Sequence, residues 1–310
     1  MSEDLAIEVA GLTRRFPGVD AVNGLSFQVR SGEIFGLVGP DGAGKTTTMR
    51  ILAGVLTPDD GTARVAGFDV KRSPEDLKHH ISYMPQRFGL YEDLTMDENI
   101  RFYADLFGVG RAEREDQAAR LLAASGMTEF RSRLAGKLSG GMKQKLGLVC
   151  ALIHKPRVIL LDEPTNGVDP VSRREFWRIL YSLLSEGITI LTTTAYLDEA
   201  ERCNRVGILH QGRLLFCDTP ERLKTHLAGA VVNVASAEAR RVYHSLVKAD
   251  GVASAVLVGD GVHIVVDNAT RRIAELKSKL STEGVPFQEF RQITPTIEDL
   301  FVAAVEGRAN

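Results

Sequence analysis

A glycine-rich segment between an apolar run and a helical pattern constrains this chain more than any other feature. Residues 33–38 are a short, mostly apolar run suited to a buried parallel strand, and residues 46–53 carry apolar side chains at helical spacing. The segment between them fits the pattern G-x-x-x-x-G-K-[ST] and consists of Gly39, Pro40, Asp41, Gly42, Ala43, Gly44, Lys45 and Thr46. Glycines let consecutive backbone N–H groups face one anion, and the helix N-terminus adds its positive end. The order of strand, loop and helix therefore predicts a phosphate-binding loop.

Two adjacent acids follow a second apolar run and extend this prediction to catalysis. Residues 158–161 are all apolar, and Asp162 and Glu163 come directly after them. A buried strand that stops at paired acids places both at the carboxyl edge of the sheet, where α/β folds bind ligands. We expect Lys45 to reach the β and γ phosphates, and Thr46 and Asp162 to hold Mg²⁺. Glu163 is the predicted catalytic residue, because it can accept a proton from the attacking water or orient it.

A third motif, residues 138–144, combines a serine, two glycines and a glutamine. Ser139 can cap the helix that begins here, and Gly140 and Gly141 expose N–H groups. Taken alone, the motif is an ordinary helix N-terminus. Together with the phosphate loop and the paired acids, it resembles the signature motif of the ABC ATPases, to which Gln144 also belongs.

The rest of residues 4–220 resembles the same family, motif by motif and in the same order. The resemblance implies that Phe16 stacks on adenine, that Thr47 adds to the nucleotide contacts and that Gln86 is a further Mg²⁺ ligand. Asp169 fits the D-loop. The family resemblance also implies a head-to-tail dimer, in which Ser139, Gly140, Gly141 and Gln144 act on the ATP of the partner. The partner can be a second copy or a different ABC ATPase.

Position 195 departs from the family pattern. Members of this family usually have a histidine there that contacts the γ-phosphate, whereas this chain has Ala195. A methyl group donates no hydrogen bond. Thr194 is expected to point to the other side of its strand, because neighbouring residues of a strand alternate faces. The sequence therefore predicts near-normal ATP binding and slow hydrolysis.

Composition limits the partners and the cellular location that can be expected for this chain. The net charge is -2 and the basic residues do not cluster, so we expect no nucleic-acid partner. No apolar stretch approaches the roughly 20 residues of a membrane span, so transport would need separate transmembrane permease subunits. The three cysteines fit no metal spacing and are expected to stay reduced. The resemblance implies a cytoplasmic protein, peripheral on the inner face of the cell membrane. It also implies that residues 88–91 face a permease, with core packing of their aromatic side chains as the alternative.

The patterns predict an α/β fold of the P-loop NTPase type, followed by a smaller α+β domain. Residues 1–220 would form the ABC ATPase domain, with an antiparallel β subdomain and a helical subdomain at about 88–155. Residues 221–229 would form a connector. Residues 230–310 read as βαββαβ, a ferredoxin-like order, with a hairpin signal at 259–261. The ending at residues 295–301 resembles the C-terminal extension of daunorubicin-resistance exporter ATPases, and this resemblance spans most of residues 230–307. A docking or dimer-stabilising role is favoured over that of a small-molecule sensor.

These expectations give one main functional hypothesis and two alternatives. The main one is an ATP-hydrolysing ABC subunit that drives export of drugs or other small amphipathic compounds. The first alternative, an ABC protein acting on ribosomes or DNA, is disfavoured because such proteins usually carry two cassettes or long coiled-coil insertions. The second, a nucleotide-dependent regulator with little turnover, is suggested by Ala195.

Overall fold

The computed structural model describes residues 4–87, 89–259 and 261–306. Phe88 and Asp260, which belong to the predicted permease-facing segment and the predicted hairpin, lie outside the described residues. The strands are β1 (Leu5–Phe16), β2 (Val19–Arg30), β3 (Ile34–Val38), β4 (Asp60–Val65), β5 (Phe68–Asp69), β6 (Ile81–Met84), β7 (Val158–Asp162), β8 (Thr189–Thr194), β9 (Arg205–His210), β10 (Arg213–Asp218), β11 (Ala230–Ala235), β12 (Val252–Val258), β13 (Gly261–Val266) and β14 (Glu289–Ile293). The helices are α1 (Lys45–Leu52), α2 (Pro74–Lys78), α3 (Met96–Leu106), α4 (Arg111–Ser125), α5 (Gly140–Leu152), α6 (Pro170–Ser185), α7 (Leu197–Ala200), α8 (Pro220–Thr225), α9 (Ala239–Leu246), α10 (Ala269–Thr282) and α11 (Ile297–Glu306).

Two sheets enclose the larger hydrophobic core. The first is antiparallel, in the order β2-β1-β4-β5, and the second has the order β10-β9-β3-β8-β7-β6. One core cluster joins buried residues of β1 and β2 with Phe35 and Leu37 of β3 and Met49 of α1. The rings of Phe27 and Phe35 stack across the two sheets, with centroids 5.3 Å apart. Helix α1 is thus held by packing from both sheets, and with it the loop that precedes it.

The central part of the second sheet is parallel and fully buried. Strand β3 pairs with β8 and β9, and β7 pairs with β6 and β8, in each case in the parallel direction. Every residue of β3, β7 and β8 is buried, and in β3 and β7 this accounts for the continuous apolar runs in the sequence. Because the strands are parallel, their carboxyl ends, Val38, Asp162 and Thr194, lie at one edge.

Helices α3, α4 and α5 form the predicted helical region between Gln86 and β7. Thr95 and Glu98 cap α3 with reciprocal hydrogen bonds, and Gly126 ends α4 in the left-handed conformation. Helix α5 packs against α3, α4 and α6.

The C-terminal region has the predicted order βαββαβ, from β11 to β14. Its sheet order is β12-β13-β11-β14, and all three strand pairs are antiparallel. Its core includes Val232, Val234, Val262 and Ile264 on the sheet and Leu280 on α10. The predicted α/β architecture and its ferredoxin-like addition are both observed.

Contacts along the chain divide it into two compact units. The first consists of residues 4–196 and 203–217, and the second of residues 197–202 and 218–306 within the described parts of the chain. The second unit therefore includes α7 and α8 as well as the βαββαβ region. The domain limits at 220 and 230 stay predictions. Over the described ranges, no helix combines the length and hydropathy needed to cross a bilayer.

Candidate active site

The glycine-rich loop leaves β3 at the carboxyl edge of the parallel sheet and enters α1. Two of its glycines are required by close backbone approach. A Cβ atom at Gly39 would lie 2.2 Å from the carbonyl oxygen of Leu209, and one at Gly44 would lie 2.2 Å from that of Ala21. Gly42 has a φ of 77° and nothing within 4 Å of where a Cβ would be. Gly39 and Gly44 let the loop pack against its neighbours, and the space beside Gly42 is open.

Lys45 turns back from α1 toward the loop. Its ammonium Nζ donates to the carbonyl oxygens of Gly39, at 2.8 Å, and Pro40, at 3.1 Å. It also lies 3.1 Å from Oε1 of Glu163, and both side chains are almost fully buried. The lysine is therefore held at the point where the loop and the end of β7 meet.

Asp162 receives hydrogen bonds from three hydroxyl groups. Thr46 and Thr193 donate to Oδ1, at 3.1 and 2.8 Å, and Tyr83 donates to Oδ2 at 3.3 Å. The donors come from α1, from β8 and from β6, so the carboxylate is held from three directions. Burial and the nearby Asp162 carboxylate raise the pKa of Tyr83 to about 12, so the phenol keeps its proton.

Glu163 follows β7 in an uncommon backbone conformation. Its φ of 49° lies in the left-handed region, where residues other than glycine are rarely found. Its N–H donates to the Thr193 hydroxyl at 3.0 Å. Gln86 and Asn166 each donate to Oε2 at 3.1 Å, opposite the Lys45 contact at Oε1. Both oxygens of the carboxylate are thus occupied by donors.

A cleft of about 460 Å³ opens beside these residues. Phe16 stands at the end of β1 on its rim, 42% exposed, with the guanidinium of Arg14 5.0 Å from its ring centroid. The cleft is lined by Phe16, Val19, Ala21, Asp41, Gly42, Gly44, Lys45, Thr46, Thr47, Gln86, Glu163 and Asn166. Asp162 lies behind Thr46 and is buried. Most of the predicted nucleotide residues therefore meet in one place.

The predicted signature residues do not line this cleft. Ser139 caps α5, where its side chain accepts from the N–H of Met142 at 3.3 Å, and Gly140 and Gln144 lie in the first turns of α5. A Cβ at Gly141 would lie 2.5 Å from the side chain of Ser172, so a glycine is needed for α5 to approach α6. Asp169 caps α6 by accepting from two N–H groups.

Comparison with known proteins shows the family to which this architecture belongs. Residues 22–166 match the ABC transporter family. The chain is 35% identical over 302 residues to "Daunorubicin resistance ATP-binding protein DrrA2" of Streptomyces coeruleorubidus, covering 96% of this chain and 94% of that protein. The chain belongs to the ATP-binding proteins of the ABC transporter family.

Two further similarities bear on this ABC protein. It is 44% identical over 308 residues to "Probable multidrug ABC transporter ATP-binding protein YbhF" of Escherichia coli K12. That match covers 98% of this chain and 53% of YbhF, so the chain spans about half the length of that relative. A solved structure titled "Structure of ATP binding subunit of ABC transporter" superimposes with a TM-score of 0.65 at 31% identity, covering 71% of this chain and 92% of that one.

Ala195 of this ABC protein lies in the bend after β8 and is exposed. The segment around it is held on both sides. Thr194 accepts from the N–H of Tyr196 at 2.9 Å, and its carbonyl oxygen accepts from the N–H of Gly39 at 3.4 Å. The guanidinium of Arg173 lies 4.8 Å from the ring centroid of Tyr196. Position 195 is thus adjacent to the phosphate loop on a fixed backbone.

Sequence reasoning missed three residues of this ABC site, namely Tyr83, Asn166 and Thr193. Thr193 is the register partner of Asp162 on the neighbouring strand, and its pairing could be found only once the strand order was known. Asn166 lies three residues after Glu163, close enough to have been considered from spacing alone. Tyr83 precedes Gln86 by three residues, but nothing in the sequence marks its hydroxyl as a donor to Asp162.

Proposed function

We propose that this chain is the ATP-binding and ATP-hydrolysing subunit of an ABC exporter, working through separate membrane permease subunits. The observation that carries the proposal is the meeting of Lys45, Thr46, Asp162 and Glu163 at one edge of the parallel sheet. The names of DrrA2 and YbhF, which refer to daunorubicin resistance and multidrug transport, support drugs or other small amphipathic compounds as cargo.

ATP would enter the cleft with its base toward Phe16 and its phosphates toward the loop. The exposed Phe16 ring offers a face for stacking, which gives affinity with little selectivity between bases. The backbone N–H groups at residues 39–44 and the first turn of α1 favour an anion. Lys45, now held by two carbonyl oxygens and Glu163, would turn to the β and γ phosphates.

The residues behind the cleft fit a magnesium ion. The Thr46 hydroxyl and the Asp162 carboxylate are 3.1 Å apart, and the side chain of Gln86 reaches the same cleft. These are oxygen donors, which Mg²⁺ prefers, and Mg²⁺ commonly binds through one or two carboxylates plus substrate phosphates. When bound, Mg²⁺ neutralises charge that develops on the phosphates. Thr46, Asp162 and Gln86 would hold it.

The closed form of the protein would be a dimer of ATPase domains. In it, Ser139, Gly140, Gly141 and Gln144 would contact the ATP bound by the other protomer, and Asp169 would lie between the two sites. The signature residues would act on the ATP of the partner, since none of the four lines the cleft of its own chain. The partner is a second copy or a different ABC ATPase. The dimer would work peripherally on the cytoplasmic face of the membrane, with no nucleic acid involved.

Glu163 would act on the attacking water. Its carboxylate is oriented by Gln86 and Asn166 and faces the cleft beside Lys45. The change Glu163→Gln keeps its shape and removes its basicity, so ATP should still bind while turnover falls by roughly 10²–10⁴. The variant should also accumulate as an ATP-bound dimer, because the closed dimer forms but is no longer reopened by ATP hydrolysis.

The test is ATP turnover by the purified protein, with dimer formation measured by light scattering in the presence of ATP. Glu113→Gln is the matched control, because Glu113 is an exposed acid on α4 that pairs with Lys155. The control should keep the wild-type rate. Turnover of Glu163→Gln at the wild-type rate would refute the assignment of Glu163.

A further inference from the structure

Thr193 holds two functional groups at once through one hydroxyl. Its Oγ1 donates to Oδ1 of Asp162 at 2.8 Å and accepts from the N–H of Glu163 at 3.0 Å. The residue is fully buried and stands opposite Asp162 in the parallel pairing of β7 and β8. A single side chain on one strand therefore connects the two acids at the end of the next strand.

The hydrogen bond between Thr193 and the N–H of Glu163 stabilises an unfavourable backbone conformation at Glu163. A φ of 49° is unfavourable for a residue with a side chain and persists only where the surroundings hold it. Here two hydrogen bonds hold it: Glu163 N–H donates to Thr193, and the N–H of Asn166 donates to the carbonyl oxygen of Glu163 at 3.1 Å. This conformation directs the carboxylate toward Lys45, Gln86 and Asn166.

We propose that Thr193 is a positioning residue for hydrolysis, which fixes the backbone of Glu163 and the carboxylate of Asp162 from the neighbouring strand. This inference rests on the proposed function. It gives β8 a direct part in the site two residues before Ala195. Since Ala195 cannot orient Glu163 by a hydrogen bond from its side chain, the Thr193 hydroxyl carries more of that task.

The substitutions separate the hydroxyl from the volume of the side chain. Thr193→Val keeps the shape and removes the hydroxyl, and Thr193→Ser keeps the hydroxyl and removes a methyl group. Thr193→Cys, with a weaker donor of similar size, serves if the valine variant does not fold. Thr189→Val is the matched control, because Thr189 is a buried threonine at the opposite end of β8 whose hydroxyl accepts from the N–H of Gly32.

Misplacement of a reacting group by about 1 Å can lower a rate roughly 100-fold. We expect Thr193→Val to reduce kcat by about 10- to 100-fold with little change in affinity for a fluorescent ATP analogue. Thr193→Ser should recover most of the rate, and Thr193→Cys should fall between the two. Thr189→Val should stay near the wild-type rate.

Amide hydrogen exchange gives a readout that does not depend on activity. The N–H of Glu163 should exchange faster in Thr193→Val than in the wild type or in Thr193→Ser, because its acceptor is lost. A valine variant that is folded and hydrolyses ATP at the wild-type rate would overturn the role of Thr193. So would a serine variant as slow as the valine variant, since packing alone would then explain the loss. Absence of hydrolysis by the wild-type dimer would instead overturn the proposed function itself.

Discussion

Replacing Ala195 by histidine tests whether the missing imidazole limits hydrolysis. The position suits the substitution, because Ala195 is exposed and lies in a bend, so a larger side chain displaces no core residue. Its backbone is fixed by the bond between Thr194 and Gly39 and by the packing of Arg173 on Tyr196. A histidine side chain at position 195 would extend from a backbone that already lies next to the phosphate loop, and β8 would not need to rearrange.

The size of the effect follows from the number of donors gained. One hydrogen-bond donor aimed at charge that develops in the transition state contributes about 3 kcal/mol, or roughly 100-fold in rate. The exposure of position 195 reduces this figure, because solvent weakens such an interaction. We therefore expect Ala195→His to raise the rate at least several-fold and by no more than about 100-fold. ATP affinity should change little, since Lys45 and the loop supply most of it.

The assay is single-turnover hydrolysis at saturating ATP, which separates the chemical step from product release. Ala195→Leu is the control, because it adds bulk without a donor and should leave the rate near that of the wild type. A histidine variant that folds, binds ATP and hydrolyses it at the wild-type rate would refute the reasoning. Another group would then already serve the γ-phosphate, and the chain would not be a slow ATPase for lack of this histidine.

Two further predictions concern the adenine contact and the C-terminal region. Phe16→Ala should weaken binding of a fluorescent ATP analogue several-fold, the equivalent of about 1 kcal/mol of stacking, and unchanged affinity in a folded variant would remove Phe16 from the site. Asp299, in the first turn of α11, accepts hydrogen bonds from Thr296 and pairs with His263 at 3.0 Å. Burial alone would raise the pKa of Asp299, but the hydrogen bonds from His263 and Thr296 hold it below its usual value. Its contribution to stability is therefore present above about pH 4 and is lost as pH falls further. Asp299→Asn should lower the free energy of unfolding by about 1 kcal/mol at pH 7 and flatten its acid dependence, as measured by denaturant titrations at several pH values.

Much of the fold could be predicted because local patterns agree with tertiary position. The apolar runs before Gly39 and before Asp162 are continuous because β3 and β7 are buried on both faces. In the C-terminal region, the predicted order βαββαβ agrees with the observed elements from β11 to β14. The pairing order β12-β13-β11-β14 follows from the split-βαβ connection, which leaves few alternatives.

Residue patterns identified the consecutive parts of the site, and the family resemblance added Phe16 and Gln86. The loop at 39–46 and the acids Asp162 and Glu163 are read directly from the chain. The threonine run of β8, in contrast, gives no sign that Thr193 bonds to Asp162 while Thr194 bonds to Tyr196. That division depends on the register of β7 against β8, which pairing fixes and composition does not. Sequence identified the chemical groups, and tertiary structure assigned their supports.

We expect the contact of Lys45 with Glu163 to link binding of the phosphates to release of the Glu163 carboxylate. Both groups are nearly buried and lie 3.1 Å apart, so each is the counter-charge of the other. A phosphate that takes Lys45 breaks this pair and leaves Glu163 to Gln86 and Asn166, which orient it without neutralising it. The Glu163 carboxylate would then be free of its counter-charge when the phosphates are in place. By the same argument Glu163→Gln removes a competitor for Lys45, so this variant should bind ATP at least as tightly as the wild type. Weaker binding by a folded Glu163→Gln variant would show that the ion pair does not compete with the phosphates.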